Sequence, residues 1–128
     1  MVHLSKETRD KAMELVIKYE RQQGRNPVVV DQTKCGYDIR SERRCIEVKG
    51  REKDRVQWIN FHKTMVKKLG KDILNFYLYL VCNIWNEPKL LIFPPTLVIS
   101  NLEIDTNYIL YPSKVLKENK GEIKSIKI

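Results

Sequence analysis

The nine residues Phe76–Ile84, FYLYLVCNI, constrain the fold of this chain most. The run is too short to span a membrane and too continuously apolar for a half-exposed strand. It reads as a central strand covered on both faces, so the rest of the chain must supply two covering layers. The sequence before it does so. Residues from about Ser5 to Gln23 carry Ala12, Leu15, Val16 and Tyr19 at helical spacing, with Gly24 and Asn26-Pro27 as the stop. Val28–Val30 reads as a short strand and Gln32–Gly36 as a polar connection. Tyr37–Ser41 and Arg44–Lys49 read as two strands joined by a turn. Trp58–Lys71 is predicted as a second helix with Phe61, Met65, Val66 and Leu69 on one face. Lys89–Phe93 is predicted as a strand closed by Pro94-Pro95. Tyr108–Tyr111 and Ile123–Ile128 read as a short strand and an edge strand within an otherwise irregular extension, residues 96–128. The expectation is α/β, a mixed sheet flanked by helices, with one domain over 1–128 and a core over about 5–95.

The totals narrow the function. No apolar run approaches the roughly 18 residues of a membrane helix, and the charged N-terminus MVHLSKETRD shows no secretory h-region. Cys35, Cys45 and Cys82 are odd in number and lack CxxC spacing, so a disulfide framework or zinc cage is not expected, and a reducing, cytoplasmic setting is. A net charge of +8 raises the odds of a polyanionic partner.

The chemistry concentrates in GYDIRSERRCIEVKG, Gly36–Gly50. Strand alternation puts Cys45, Glu47 and Lys49 on one face and Ile46 and Val48 on the other. A hairpin turning on Glu42-Arg43 pairs Ser41 with Arg44, Arg40 with Cys45 and Ile39 with Ile46, and sets Asp38 opposite Glu47. Two carboxylates so placed repel unless a cation lies between them. Mg²⁺, or Mn²⁺ in its stead, accepts such a pair together with waters and phosphate oxygens. The Val48 carbonyl offers one more oxygen, and Lys49 is placed to orient a water or neutralise phosphate charge. An exposed, salt-bridged strand explains the same residue types, and both readings stand at this point. Gly36 and Gly50 would allow close approach at either end.

These segments together resemble the NO VEIN C-terminal-like domain, found at the ends of plant NO VEIN proteins and of prokaryotic helicases linked to restriction and phage defence. The similarity runs through AMELVIKYERQQGRNP, GYDIRS, CIEVKGR and NFYLYLVCN, over roughly residues 10 to 95. That domain looks like a member of the PD-(D/E)XK nuclease superfamily. The resemblance implies an α-β-β-β-α-β restriction-endonuclease-like core, Asp38 and Glu47 as metal ligands, and Lys49 as the catalytic lysine. It further implies that Glu20, on the first helix, joins the site. WINFHK departs from the family's usual start to the second helix, so a role for that start is not carried over.

The implied function is Mg²⁺-dependent hydrolysis of nucleic-acid phosphodiesters, DNA foremost, in phage defence, restriction or repair. A helicase or ATPase domain in the same chain or complex, and a homodimer, are the associated partners, with no membrane. Arg51, Lys53 and Arg55 suit a phosphate-contacting loop. Arg43 and Arg44 at the turn suit solubility or phosphate contact. Trp58, Phe61 and Trp85 are either stacking platforms or core. His62 is expected at the surface, His3 has no ligand partner nearby in sequence, and Cys45 has no histidine to activate it. Two further functions compete: a nucleic-acid-binding module without turnover, and a protein-interaction module of a larger helicase-type protein.

Overall fold

The computed structural model describes residues 4–104 and 108–128; His3 lies outside them. Helix α1 (Ser5–Gln22) leads into strand β1 (Pro27–Val29), a single helical turn α2 (Gln32–Cys35), and strands β2 (Ile39–Ser41) and β3 (Arg44–Gly50). Strand β4 (Ile59–Phe61), helix α3 (Lys63–Leu69) and a 3-10 turn (Gly70–Asn75) precede strands β5 (Phe76–Cys82) and β6 (Lys89–Phe93). Helix α4 (Pro95–Ser100), strands β7 (Glu103–Ile104) and β8 (Tyr108–Leu110), helix α5 (Pro112–Glu118) and strand β9 (Lys124–Lys127) follow.

Six strands form one mixed sheet in the order β1-β2-β3-β5-β6-β9. Only β3 and β5 run parallel, which is what a crossover through β4 and α3 permits. The fold is therefore α/β with a mixed, helix-flanked sheet. Strand β5 lies inside that sheet and is covered on both faces, as its composition requires. Leu78, Leu80 and Cys82 face one core with Cys45, Leu91, Phe93, Leu97 and Val98. Tyr79 and Val81 face the other, with Ala12, Val16 and Tyr19 of α1 packed over Ile39, Ile46 and Val48.

The hairpin register is the expected one: Ile39 with Ile46, Arg40 with Cys45, Ser41 with Arg44. Glu42 takes a left-handed φ of 54° in place of the usual glycine or asparagine. Its carboxylate accepts the Asn26 backbone N–H at 3.1 Å, which ties the turn to the start of β1.

Two expectations are corrected. The helix predicted over Trp58–Lys71 begins only at Lys63. Ile59 and Phe61 are buried on either side of exposed Asn60, a period-two pattern, and pair with β8 in a second sheet of order β4-β8-β7. The helical spacing of Phe61 with Met65 is coincidental, and tertiary pairing overrode it. The described residues of 96–128 are not irregular, and the two strands expected there form as β8 and β9. Leu97, Val98, Leu110, Val115 and Ile123 complete the core that Leu78, Leu80 and Phe93 line, and β9 adds to the main sheet beside β6.

Candidate metal and nucleic-acid site

The site is built where β2 gives out while β3 continues. In the hairpin ladder Arg44 and Ile46 turn their backbone groups toward β2, so Val48, two residues on, turns its own the same way. No β2 residue remains to pair with it. Asp38 fills the gap, its Oδ2 accepting the Val48 N–H at 2.8 Å. The Val48 carbonyl points to that same side. Asp38 itself donates its backbone N–H to the Ile46 carbonyl and accepts from Val30 N–H. The Asp38 backbone is thus held between β3 and the end of β1, and its carboxylate is tied to β3.

Asp38 and Glu47 are 2% and 6% exposed. Burial, and then the charge of the adjacent Asp38 carboxylate, push the Glu47 carboxyl well above its ordinary range, with Lys49 pulling the other way. Lys49 Nζ stands 3.5 Å from Glu47 Oε2, and Gln32 Nε2 donates to Glu47 Oε1 at 3.4 Å. Arg9, from the first turns of α1, reaches Asp38 Oδ1 at 3.1 Å. Gly50 makes that approach of α1 feasible: a Cβ there would fall 2.8 Å from the Ala12 Cβ and 3.0 Å from the Thr8 carbonyl oxygen.

Asp38, Lys49, Gln32 and Arg9 open into a groove of about 800 Å³, with Glu47 outside its lining. Asp38, Val48 and Lys49 form its floor, with Arg9 on one wall and the loop carrying Arg51, Lys53, Arg55 and Trp58 on the other. The structure therefore brings together Asp38, Glu47, Val48 and Lys49, and gathers Arg51, Lys53 and Arg55 beside them.

A family model for the C-terminal part of the protein NO VEIN matches residues 8–93 of this chain. The chain belongs to the NO VEIN C-terminal family. No curated protein and no solved structure matches it. The NO VEIN C-terminal match covers every residue of the groove from Thr8 to Trp58 and closes at the end of β6.

Within this NO VEIN C-terminal domain, three expected site residues lie elsewhere. Glu20 is fully buried, with Arg25 donating to its two oxygens at 2.6 and 2.7 Å and the Tyr79 hydroxyl at 2.9 Å. Burial alone would raise this carboxyl; the Arg25 and Tyr79 hydrogen bonds outweigh it, and the net shift is downward. Glu20 sits three turns from Arg9, about 16 Å along the helix, too far to share the Asp38 cluster. Arg44 donates to the Tyr79 hydroxyl at 2.7 Å and lies over the Tyr77 ring at 4.5 Å, on the face that carries α1. Arg43 stays at the solvent-facing turn, outside the groove.

Sequence reasoning missed Arg9 and Gln32. Arg9 had a readable signal, since it precedes Ala12 and Val16 by three and seven residues and so continues their stripe. Gln32 had none. Among the described residues no group of three or more His, Cys, Asp and Glu is arranged to hold a metal. No helix of the described residues is long and apolar enough to cross a membrane.

Proposed function

We propose that this domain is a Mg²⁺-dependent nuclease of the PD-(D/E)XK type that hydrolyses phosphodiester bonds, DNA foremost. One observation carries the reading: two buried carboxylates, Asp38 and Glu47, converge with Lys49 at a groove that Asp38, Lys49 and the basic side chains Arg9, Arg51, Lys53 and Arg55 line. The donor set fits a hard divalent ion. Mg²⁺ needs only one or two carboxylates, because it keeps several waters and takes phosphate oxygens from its substrate. Asp38, Glu47 and the Val48 carbonyl would hold it, and its charge would relieve the repulsion that raises Glu47. The bound ion would supply Lewis-acid stabilisation of the phosphoryl oxygens and a more acidic water.

The chain's own residues supply the rest. Lys49 projects from the same strand face as Glu47 and donates toward the reacting phosphate or the attacking water. Arg51, Lys53 and Arg55 hold backbone phosphates and fix the strand's position without reading its sequence. A setting in phage defence, restriction or repair follows from the resemblance of the domain to those at the ends of helicases.

The test is incubation of labelled DNA and RNA with the purified domain in Mg²⁺ and in Mn²⁺. Cleavage is expected, and is expected to fall at least about 100-fold in Asp38→Asn, Glu47→Gln or Lys49→Ala. A protein that cleaves nothing and binds neither ion is not this nuclease. Two specific contacts favour one second reading, a binding module without turnover: Arg9 already neutralises Asp38, and Lys49 already faces Glu47. In that case binding survives all three substitutions and weakens steeply with salt.

A further inference from the structure

We infer that the groove takes nucleic acid with unpaired bases, Trp58 serving as the stacking platform for a base and Arg51 as the seat of an adjacent backbone phosphate. The inference rests on the nucleic-acid reading of the groove and goes beyond it to the form of the substrate.

Trp58 is 53% exposed, although its flanking residues are anchored. Val56 is buried, and its carbonyl accepts the Ser113 hydroxyl at 3.0 Å. Ile59 is fully buried and paired in β4. Upstream, Arg51 N–H donates to the Val81 carbonyl and Asn83 N–H to the Lys53 carbonyl. The loop is thus pinned upstream to β5 of the main sheet and downstream to α5 and the second sheet, and the indole lines the groove. A large aromatic surface on a fixed backbone costs little ordering entropy when a planar partner stacks on it. Phe61, the neighbouring aromatic, is 3% exposed and belongs to the core.

Arg51 supplies the second observation. Its guanidinium is half-buried, its side-chain hydrogen bond goes to the Gly50 carbonyl, and among the described residues it has no carboxylate partner. Burial draws its pKa below the ordinary arginine value. A partly desolvated guanidinium without an anion is unfavourable, and a phosphate relieves it with bidentate geometry. An indole and an anion-seeking guanidinium on one short loop match the two repeating parts of a single strand, base and phosphate. In a stacked duplex the bases are not available to Trp58, and only the phosphate contacts remain.

The experiment is fluorescence anisotropy at low salt in EDTA, with a labelled single-stranded DNA, a single-stranded RNA and a duplex of the same sequence. Trp58→Ala is expected to weaken single-strand binding about 5- to 100-fold, and Trp58→Phe to recover most of it. Duplex binding is expected to change by less than about twofold, and Trp85→Phe to change nothing. Arg55→Ala is expected to weaken all three ligands, since it contacts phosphate alone. If Trp58→Ala leaves single-strand binding intact while Arg55→Ala weakens it, the stacking inference fails and the groove reading stands. If the unsubstituted protein binds none of the three, both fail.

Discussion

Asp38 accepts the Val48 backbone N–H at 2.8 Å with one carboxylate oxygen and the Arg9 guanidinium at 3.1 Å with the other. A single side chain therefore closes the open end of the hairpin and anchors the first helix to it. Removing Arg9 leaves a buried carboxylate with half its compensation. Because Arg9 is half-exposed, Arg9→Ala is expected to cost the metal-free protein about 1–2 kcal/mol, less than a fully buried pair. Mn²⁺ is expected to return most of that loss and to bind more tightly than to the parent. Denaturant unfolding with and without Mn²⁺ checks the first point, and calorimetric titration the second.

Glu47 governs stability on the alkaline side of 4.5. Its folded carboxyl is raised above that ordinary value by burial and by Asp38. The folded state thus binds a proton more tightly than the unfolded chain. Its contribution is fully present below pH 4.5 and is lost as pH rises through the folded value. Glu47→Gln is expected to flatten that decline and to make the metal-free protein more stable at neutral pH. Urea unfolding across pH reads both; a variant with an unchanged pH profile would contradict the assignment.

Glu20 acts in the opposite sense. Its folded carboxyl lies below the ordinary 4.5, so its contribution is present above that pH and is lost as pH falls through the folded value. Glu20→Ala leaves the Arg25 guanidinium and the Tyr79 hydroxyl without their acceptor, at an expected cost of about 3–5 kcal/mol. At a temperature where the variant is folded, nucleic-acid binding is expected to be unchanged. A selective loss of binding or cleavage in folded protein would return Glu20 to the site.

Gly50 is expected to tolerate no side chain. Gly50→Ala would press a methyl group on Ala12 and the Thr8 carbonyl, costing about 1–3 kcal/mol. Relief of that clash moves α1 outward and carries Arg9 off Asp38. Thermal unfolding gives the cost, and Mn²⁺ affinity reports the displacement.

The hairpin and its register were legible because they depend on alternation alone. Ile39, Ile46 and Val48 must face the core, and that places Glu47 and Lys49 on the other face. Strand β5 was legible from its length and apolarity. Strand β4 was not. Ile59 and Phe61 acquire strand character by pairing with residues about fifty positions later, and a local period cannot show a partner that distant. The burial of Glu20 at the far end of α1 from Asp38 was not legible for a related reason. Its place on the buried stripe of α1 was readable, but the sequence does not reveal which end of that helix lies over the end of β3.

The bond from Val48 N–H to Asp38 has a consequence for how the site is silenced experimentally. The carboxylate that would hold a metal ion also stands in for a missing backbone carbonyl, so truncating Asp38 unties the sheet as it removes the ligand. Lost activity in Asp38→Ala would confound chemistry with architecture. Asparagine at this position keeps an acceptor for the amide while discarding the negative charge. Lys49, which donates no backbone tie from its side chain, gives the more informative knockout.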